Sequence, residues 1–217
     1  MTAMLNAEAA GTFWAPGDEP GRNGPRARSW LLTTADHRVA EALAAFHTHA
    51  SWRVRTPGAH EVDLNCSRLE VLLHGDAPLK RRFVQRVGED PVHTCDGRKR
   101  LAPMDGAGEL CGCPTTLGAR MAAARAATGP RPESRVVFKL AAAPELAIFE
   151  FVSTSWEFSE MLEASGMRDA DVAIGRVLSL RQRQLRTRSG TEVSFVFPTL
   201  TIAAPSEGSE CNLELAA

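Results

Sequence analysis

The chain has 217 residues, of which 44% are hydrophobic and 24% are charged, values close to those of an ordinary globular protein. Its 25 basic and 26 acidic residues leave a formal net charge of −1, which excludes a surface that is basic all over and confines any nucleic-acid contact to a local patch. The chain is long enough to bury a substantial core, as one domain or as two small ones.

The sequence carries no sign of export or membrane insertion. No stretch approaches the roughly 18 consecutive apolar residues of a membrane-spanning helix, and residues 1–10 lack the basic and apolar regions of a secretory signal. The five cysteines are an odd number in a chain without an export signal, which argues against a disulfide framework. We therefore expect a cytoplasmic protein with no membrane association.

Glycines and prolines divide the chain. Because they recur throughout residues 1–28, this segment is predicted to be a flexible N-terminal arm, and residues 204–217 are predicted to be an acidic, disordered tail. Residues 29–203 are predicted to form a single α+β domain of several antiparallel strands and about three helices. Strands are expected over residues 30–34, 51–56, 61–64, 69–73, 79–87, 135–140, 147–152, 177–186 and 192–202. Helices are expected over residues 37–47, 115–127 and 156–166.

Local signals refine these elements. Asp36, Thr115 or Thr116, and Thr154 or Ser155 are expected to cap the three helices. The alternation of Trp52 and Val54 with arginines predicts a half-buried strand over residues 51–56. Residues 188–190 are typical of a hairpin turn between the last two strands. The apolar stretch over residues 149–156 is expected to pack in the core.

Residues 88–114 have a different character, being rich in glycine, predicted to be a loop insertion, and containing three of the five cysteines. In an extended chain His93 and Cys95 point to the same side, as do Cys111 and Cys113 across a glycine. Thiolate and imidazole are the ligands that Zn²⁺ takes in closed tetrahedral sites, and a bound ion would supply folding energy that so few apolar residues cannot. The sequence therefore predicts a structural zinc site.

The fourth ligand remains open at this point. Cys-x-Cys is not the usual Cys-x₂-Cys spacing, and Cys66, His74 and His60 compete with His93 for the fourth position. The sequence contains no motif for a nucleotide-phosphate cradle, a nucleophile elbow or a zinc peptidase. No catalytic residue and no small-molecule substrate is predicted.

Two basic stretches offer a local contact for phosphates or for an acidic protein, although a solvated strand face is the simpler interpretation. The first stretch comprises Lys80, Arg81, Arg82, Arg86, Arg98, Lys99 and Arg100. The second comprises Arg176, Arg181, Arg183, Arg186 and Arg188, around the predicted hairpin.

The order of these segments resembles that of the recombination directionality factors of actinobacterial phages and integrated elements, which work with large serine integrases. The resemblance covers roughly residues 20–203 and is most specific between residues 137 and 156. The matching segments are 28–34, 52–56, 95–97, 111–114, 129–132, 137–141, 144–151, 153–156 and 198–200. The chain departs from the family pattern at Ala147, where the usual residue is glycine, and by carrying Asn23 and Gly24 in the arm.

The resemblance implies a regulator that is not an enzyme. Such a factor binds a large serine integrase and switches site-specific DNA recombination from integration (attP × attB) to excision (attL × attR), so that it meets DNA indirectly, through the integrase. Not every similar family member has the cysteines, which implies that a metal belongs to a subfamily and is not needed for activity.

Two other hypotheses come from the residues themselves. The basic stretches favour a DNA-binding accessory protein of phage replication or repair. The other hypothesis is a zinc enzyme built on Cys95, Cys111 and Cys113. An enzyme of this kind needs an open coordination position and a neighbouring acid or base, and the sequence indicates neither.

Overall fold

The computed structural model describes residues 9–16, 28–47, 49–165, 175–186 and 189–202. These residues form a strand-rich α+β fold, which confirms the predicted class. The strands are β1 (Gly11–Trp14), β2 (Leu31–Thr34), β3 (Ser51–Thr56), β4 (Ala59–Asp63), β5 (Arg68–Leu73), β6 (Leu79–Val87), β7 (Asp90–Cys95), β8 (Arg100–Ala102), β9 (Arg131–Leu140), β10 (Phe149–Ser153), β11 (Arg176–Arg186) and β12 (Glu192–Ile202). The helices are α1 (His37–Phe46), α2 (Leu117–Arg125) and α3 (Trp156–Ala164).

One branched sheet contains all twelve strands. Its main path runs β12-β11-β5-β9-β10-β1-β2-β4-β3, and a branch of β6, β7 and β8 leaves it at β9. The long strand β9 allows this branching, because one edge of it pairs with β6 over residues 131–136 and with β5 over residues 138–140. Among the described strands, β1 and β10 pair in parallel, and all the other neighbouring strands pair in antiparallel fashion.

The sheet contains a strand that sequence patterns miss. Gly11–Trp14 is fully buried between β10 and β2, so the predicted flexible arm over residues 1–28 is wrong for this stretch. Gly11 is one of the glycines that predict a flexible arm, whereas the structure needs it for close packing. A Cβ there would lie 2.9 Å from both Leu32 Cδ1 and the Thr33 carbonyl oxygen. The rest of the arm before residue 9 and over residues 17–27, and the predicted tail, lie outside the described residues.

Aromatic side chains fill the main core. Phe13, Phe149 and Phe151 of neighbouring strands are completely buried, and α3 adds Phe158, whose ring lies 5.3 Å from that of Phe151. The core predicted for residues 149–156 is therefore confirmed for its phenylalanines.

The predicted caps hold for all three helices. The side chains of Asp36, Thr116 and Ser155 each accept a hydrogen bond from a backbone N–H in the first helical turn. In the described part of the chain, no helix combines the length and apolar character needed to span a membrane.

The two ends of the sheet face solvent. The strand predicted over residues 51–56 is present as β3, but its predicted half-burial is wrong, since all six residues are exposed at the edge of the sheet. The predicted hairpin at the other end is confirmed by continuous pairing of β11 with β12 from Arg176/Ile202 to Arg186/Glu192.

Candidate metal centre

The branch of the sheet forms the scaffold of the cysteine segment. The loop predicted over residues 88–114 is wrong for 90–95 and 100–102, which pair as β7 and β8 beyond β6. The prolines and glycines suggested a loop, but Pro91 lies opposite Arg86 at a register shift of the β6–β7 pair, where a missing N–H is tolerated. The strands fix the direction of the side chains on β7.

A tight turn brings the two halves of the segment together. The Asp96 carboxylate accepts hydrogen bonds of 2.7 Å from the backbone N–H groups of Arg98 and Lys99, and Gly97 adopts the positive φ of 97° that the turn requires. The Cys111 N–H then donates to the Arg98 carbonyl at 2.8 Å. This contact places the second pair of cysteines beside the first.

The donor atoms of His93, Cys95, Cys111 and Cys113 converge, and we refer to these four residues as the Cys₃His cluster. All four donor atoms lie within 4.8 Å of one another. The sulfurs of Cys95 and Cys113 are 3.9 Å apart, and Cys113 Sγ is 3.4 Å from His93 Nε2. The four residues predicted as ligands are therefore brought together.

These distances suit a tetrahedral metal ion. Zinc bonds of about 2.3 Å to sulfur and about 2.0–2.1 Å to nitrogen separate two sulfurs by about 3.8 Å and a sulfur from a nitrogen by about 3.6 Å. A disulfide would need about 2.05 Å between sulfurs, and none of the four described cysteines forms one. The cluster thus has the donor types and spacing of a metal site.

Burial controls protonation of the cluster when no metal is bound. It raises the pKa of the Cys95 thiol to about 12, with further contributions from the neighbouring cysteines, and it also raises the pKa of Cys113. The pKa of His93 is lowered, first by burial and then by the charge of Arg100. Neutral imidazole is the form that binds metals, whereas the thiols must lose their protons when an ion enters.

The cluster belongs to a second, small core. Phe83, Cys95 and Cys111 are its buried members, and Cys113 and Trp156 pack against them. The Phe83 and Trp156 rings lie 5.9 Å apart, which links the branch of the sheet to α3. So little apolar surface gives this core small hydrophobic stabilisation of its own.

Arg120 on α2 holds the two halves of the segment, and sequence analysis did not single it out. Its guanidinium donates to the Pro114 carbonyl at 2.6 Å and to the Gly97 carbonyl at 2.7 Å, and lies 4.8 Å from the centre of the Phe83 ring. No local pattern marks this arginine, because all its contacts are formed with other elements of the structure.

The competing ligands lie elsewhere. Cys66 packs in the main core, while the His60 ring lies 5.3 Å from that of His37 and 5.7 Å from that of Trp52. The His74 N–H pairs with the Val137 carbonyl next to β5. Across the residues that the structure describes, the Cys₃His cluster is the one group with the arrangement of a metal site.

The two basic stretches differ in structure. In the first, Arg82 and Arg86 both pair with Glu133, and Arg81 pairs with Glu163 on α3 at 2.9 Å. These pairs set two carboxylates against three of the seven basic residues of the stretch.

The second stretch is largely exposed. Its predicted member Arg176 is an exception, with 1% of its surface exposed, because it lies where β11 pairs with β5. Arg181, Arg183 and Arg186 face solvent, whereas Arg188 lies outside the described residues.

No protein-family model matches the chain. No solved structure matches it. Function is therefore inferred from the residues of the chain itself.

Proposed function

We propose that this protein is a recombination directionality factor that binds a large serine integrase and switches it from integration to excision. The observation that carries the proposal is the order of residues between 137 and 156. This segment runs through the end of β9, β10 and the start of α3. It includes Phe149 and Phe151, which are completely buried, so the resemblance extends over central core positions.

The proposed mechanism is a shift between two conformations of the integrase. A factor that prefers the arrangement of the integrase's coiled-coil arms that is competent for excision moves the population toward that arrangement. Turning a 1:99 ratio into 99:1 takes about 5.5 kcal/mol of differential binding, which a protein interface can supply without a bond-breaking step.

Exposed apolar side chains support binding to a protein partner. Met104 and Leu110 are each 83% exposed, and Leu101 is 45% exposed. All three lie on the segment that connects the two halves of the Cys₃His cluster. A partner that covers these side chains would remove apolar surface from water, which is the main driving force of protein association.

We further propose that the Cys₃His cluster holds one structural Zn²⁺. Three thiolates and one imidazole fill the four positions of a tetrahedral ion, and no position is then left open for a substrate. The ion would join β7 to the segment after β8, where the small core provides little other stabilisation. Metal analysis and X-ray absorption of the purified protein test this, with a shell of three sulfurs and one nitrogen expected and any other shell contradicting it.

The integrase proposal is tested by binding without DNA. The full chain is mixed with the serine integrase encoded in the same genome, and complex formation is followed by size-exclusion chromatography with light scattering. We expect a complex that contains both proteins. Separate elution at concentrations well above micromolar would contradict the proposal.

A further inference from the structure

Strands β6 and β9 share a face of the sheet that lies opposite the helices. The even-numbered residues of β9 from 132 to 140 are buried, so the odd-numbered residues from 131 to 139 lie on the other face. Leu43 of α1 and Phe158 of α3 enter the main core from the buried side. Arg120 of α2 lies over the ring of Phe83, which is on that side as well. We name the outward residues of β6 and β9 the basic face.

Six basic side chains lie on the basic face in two neighbouring rows. They are Arg131, Arg135 and Lys139 on β9, and Lys80, Arg82 and Arg86 on β6. The register places Lys80 directly opposite Arg135 and Arg82 directly opposite Glu133, so the rows lie side by side. At about 3.3 Å per residue, the row on β9 is about 26 Å long. The result is an elongated band of positive charge.

Two carboxylates compensate part of this charge. Glu133 pairs with both Arg82 and Arg86, and Glu150 of β10 pairs with Arg135 at 2.6 Å. Six basic groups against two carboxylates leave the basic face with a formal excess of four positive charges. The chain as a whole has a net charge of −1, so positive charge is concentrated here.

The excess lies mainly on three side chains. In the described part of the chain, Lys80, Arg131 and Lys139 have no ion-pair partner. Lys80 and Arg131 are also exposed to solvent. Acidic residues of the two turns that flank β6 form no ion pair with the six basic side chains; these residues are Asp76, Glu89 and Asp90. The unpaired cations are therefore available to an anionic partner.

We propose that the basic face binds the phosphate backbone of duplex DNA without reading its sequence. Duplex DNA carries one negative charge per about 1.7 Å of its axis, so an elongated band of cations meets several phosphates at once. This contact goes beyond the proposed function, because an integrase regulator needs no DNA contact of its own. The inference rests on that function only in the choice of DNA over duplex RNA, since recombination sites are DNA.

Two features favour a duplex over other partners. A protein partner would need an exposed apolar centre, whereas Val84 and Val137, which lie between the basic side chains, are each only 7% exposed. Single strands are bound by stacking bases on free aromatic rings, and none of the outward residues of β6 and β9 is aromatic. Phosphates along a duplex need neither feature.

The test measures DNA binding by the full chain without integrase. Fluorescence anisotropy of a labelled duplex of about 20 base pairs is recorded from about 20 to 200 mM salt, and the affinity should fall linearly in log–log form. Lys80→Gln with Arg131→Gln should reduce the steepness of this slope by about 1.8, since each phosphate contact contributes about 0.9. Because both side chains are exposed and unpaired, the melting temperature of this variant should be unchanged.

The matched control removes the same charge elsewhere. Arg181→Gln with Arg186→Gln changes two exposed arginines of β11 and should leave the slope unchanged. An equal reduction in both double variants would overturn the proposal, because it would show an effect of net charge alone. Tighter binding of a single strand, or of an RNA duplex of the same length, would overturn it too.

Two further outcomes separate this inference from the proposed function. Absence of duplex binding at about 20 mM salt and about 100 μM protein would overturn the DNA contact, while complex formation with the integrase is measured independently. If Lys80→Gln with Arg131→Gln weakened integrase binding and left DNA binding intact, the basic face would belong to a protein partner. Loss of DNA binding with retention of the integrase complex is the result that we expect.

Discussion

The sulfur atoms of Cys95 and Cys113 lie 3.9 Å apart, although 18 positions separate the two residues in the sequence. The first is on β7, and the second follows a turn and β8. Hydrogen bonds of the Asp96 carboxylate and of the Cys111 N–H close the intervening chain. The backbone therefore forms the geometry of a metal site from local turns and one strand pair.

Replacing a cluster cysteine should remove the metal. Cys95→Ser exchanges a thiolate for a hydroxyl that binds zinc poorly, and we expect the zinc content to fall from roughly one ion per chain to about zero, together with a lower melting temperature. Cys66→Ser is the matched control, since this cysteine lies in the main core and outside the cluster. Both variants are measured by metal analysis and thermal unfolding, and equal zinc in both would contradict the assignment.

The pH dependence of stability should distinguish the metal-free from the zinc-bound protein. Without metal, burial raises the pKa of Cys95 from 9.0 to about 12, so above pH 9 the unfolded chain has lost a proton that the folded chain retains. Stability of the metal-free form should therefore be intact below pH 9 and fall as the pH rises toward 12. Zinc-bound thiolates carry no such proton, so denaturation curves of the zinc form should be flatter over this range.

Metal uptake should release protons. Since burial favours the protonated thiols of Cys95 and Cys113, an entering cation must displace protons from them, and the apparent affinity for zinc should rise with pH. Titration in weakly buffered solution with a pH indicator measures the release. Binding without proton release would show that the thiolates are not the ligands.

Arg120 should stabilise the metal centre from α2. Arg120→Ala removes the donors to the carbonyls of Pro114 and Gly97, and we expect a loss of about 1–3 kcal/mol in unfolding free energy and faster loss of zinc to a chelator. Arg125→Ala on the same helix is exposed and serves as the control. Identical chelation rates for the two variants would show that Arg120 does not support the cluster.

Gly11 should be sensitive to a single added methyl group. Gly11→Ala places a carbon 2.9 Å from the Thr33 carbonyl oxygen, and we expect a cost of about 1–3 kcal/mol in chemical denaturation. Gly118→Ala is the comparison, because nothing lies within 4 Å of its Cβ position in α2. That substitution should be neutral or stabilising by about 0.5–1 kcal/mol. A neutral Gly11 variant would contradict the close packing of β1.

The exposed apolar residues of the cluster segment should contribute to partner binding. Met104→Ser with Leu101→Ser removes exposed apolar surface and leaves the four residues of the Cys₃His cluster unchanged. Binding to the integrase should weaken about tenfold or more. Val54→Ser, on the exposed edge strand β3, is the control and should bind normally. Calorimetry or biolayer interferometry measures both, and unchanged affinity of the double variant would exclude this surface.

Sequence patterns correctly predict the features that depend on residues close together in the chain. Asp36 and Ser155 cap their helices as expected, since a cap depends on residues within one turn. The ligand pairs His93/Cys95 and Cys111/Cys113 were also found from spacing, and only convergence in space selects His93 over Cys66, His60 or His74.

The remaining features depend on contacts between distant parts of the chain. Gly11–Trp14 is too short to show a periodic pattern, and it is a strand because β10 and β2 flank it. Strand β7 forms because β6 offers an edge, and β8 forms on the free edge of β7. The burial of Arg176 follows from the pairing of β11 with β5. Propensity alone does not predict such pairings.

The most direct measurement of the proposed function is the product of recombination. Purified protein is added to the serine integrase of the same genome, with attL × attR and attP × attB substrates in parallel reactions. The account predicts that the integrase alone recombines attP × attB, and that added protein raises attL × attR products and lowers those of attP × attB. Unchanged yields of both products, at protein concentrations that saturate binding to the integrase, would contradict it.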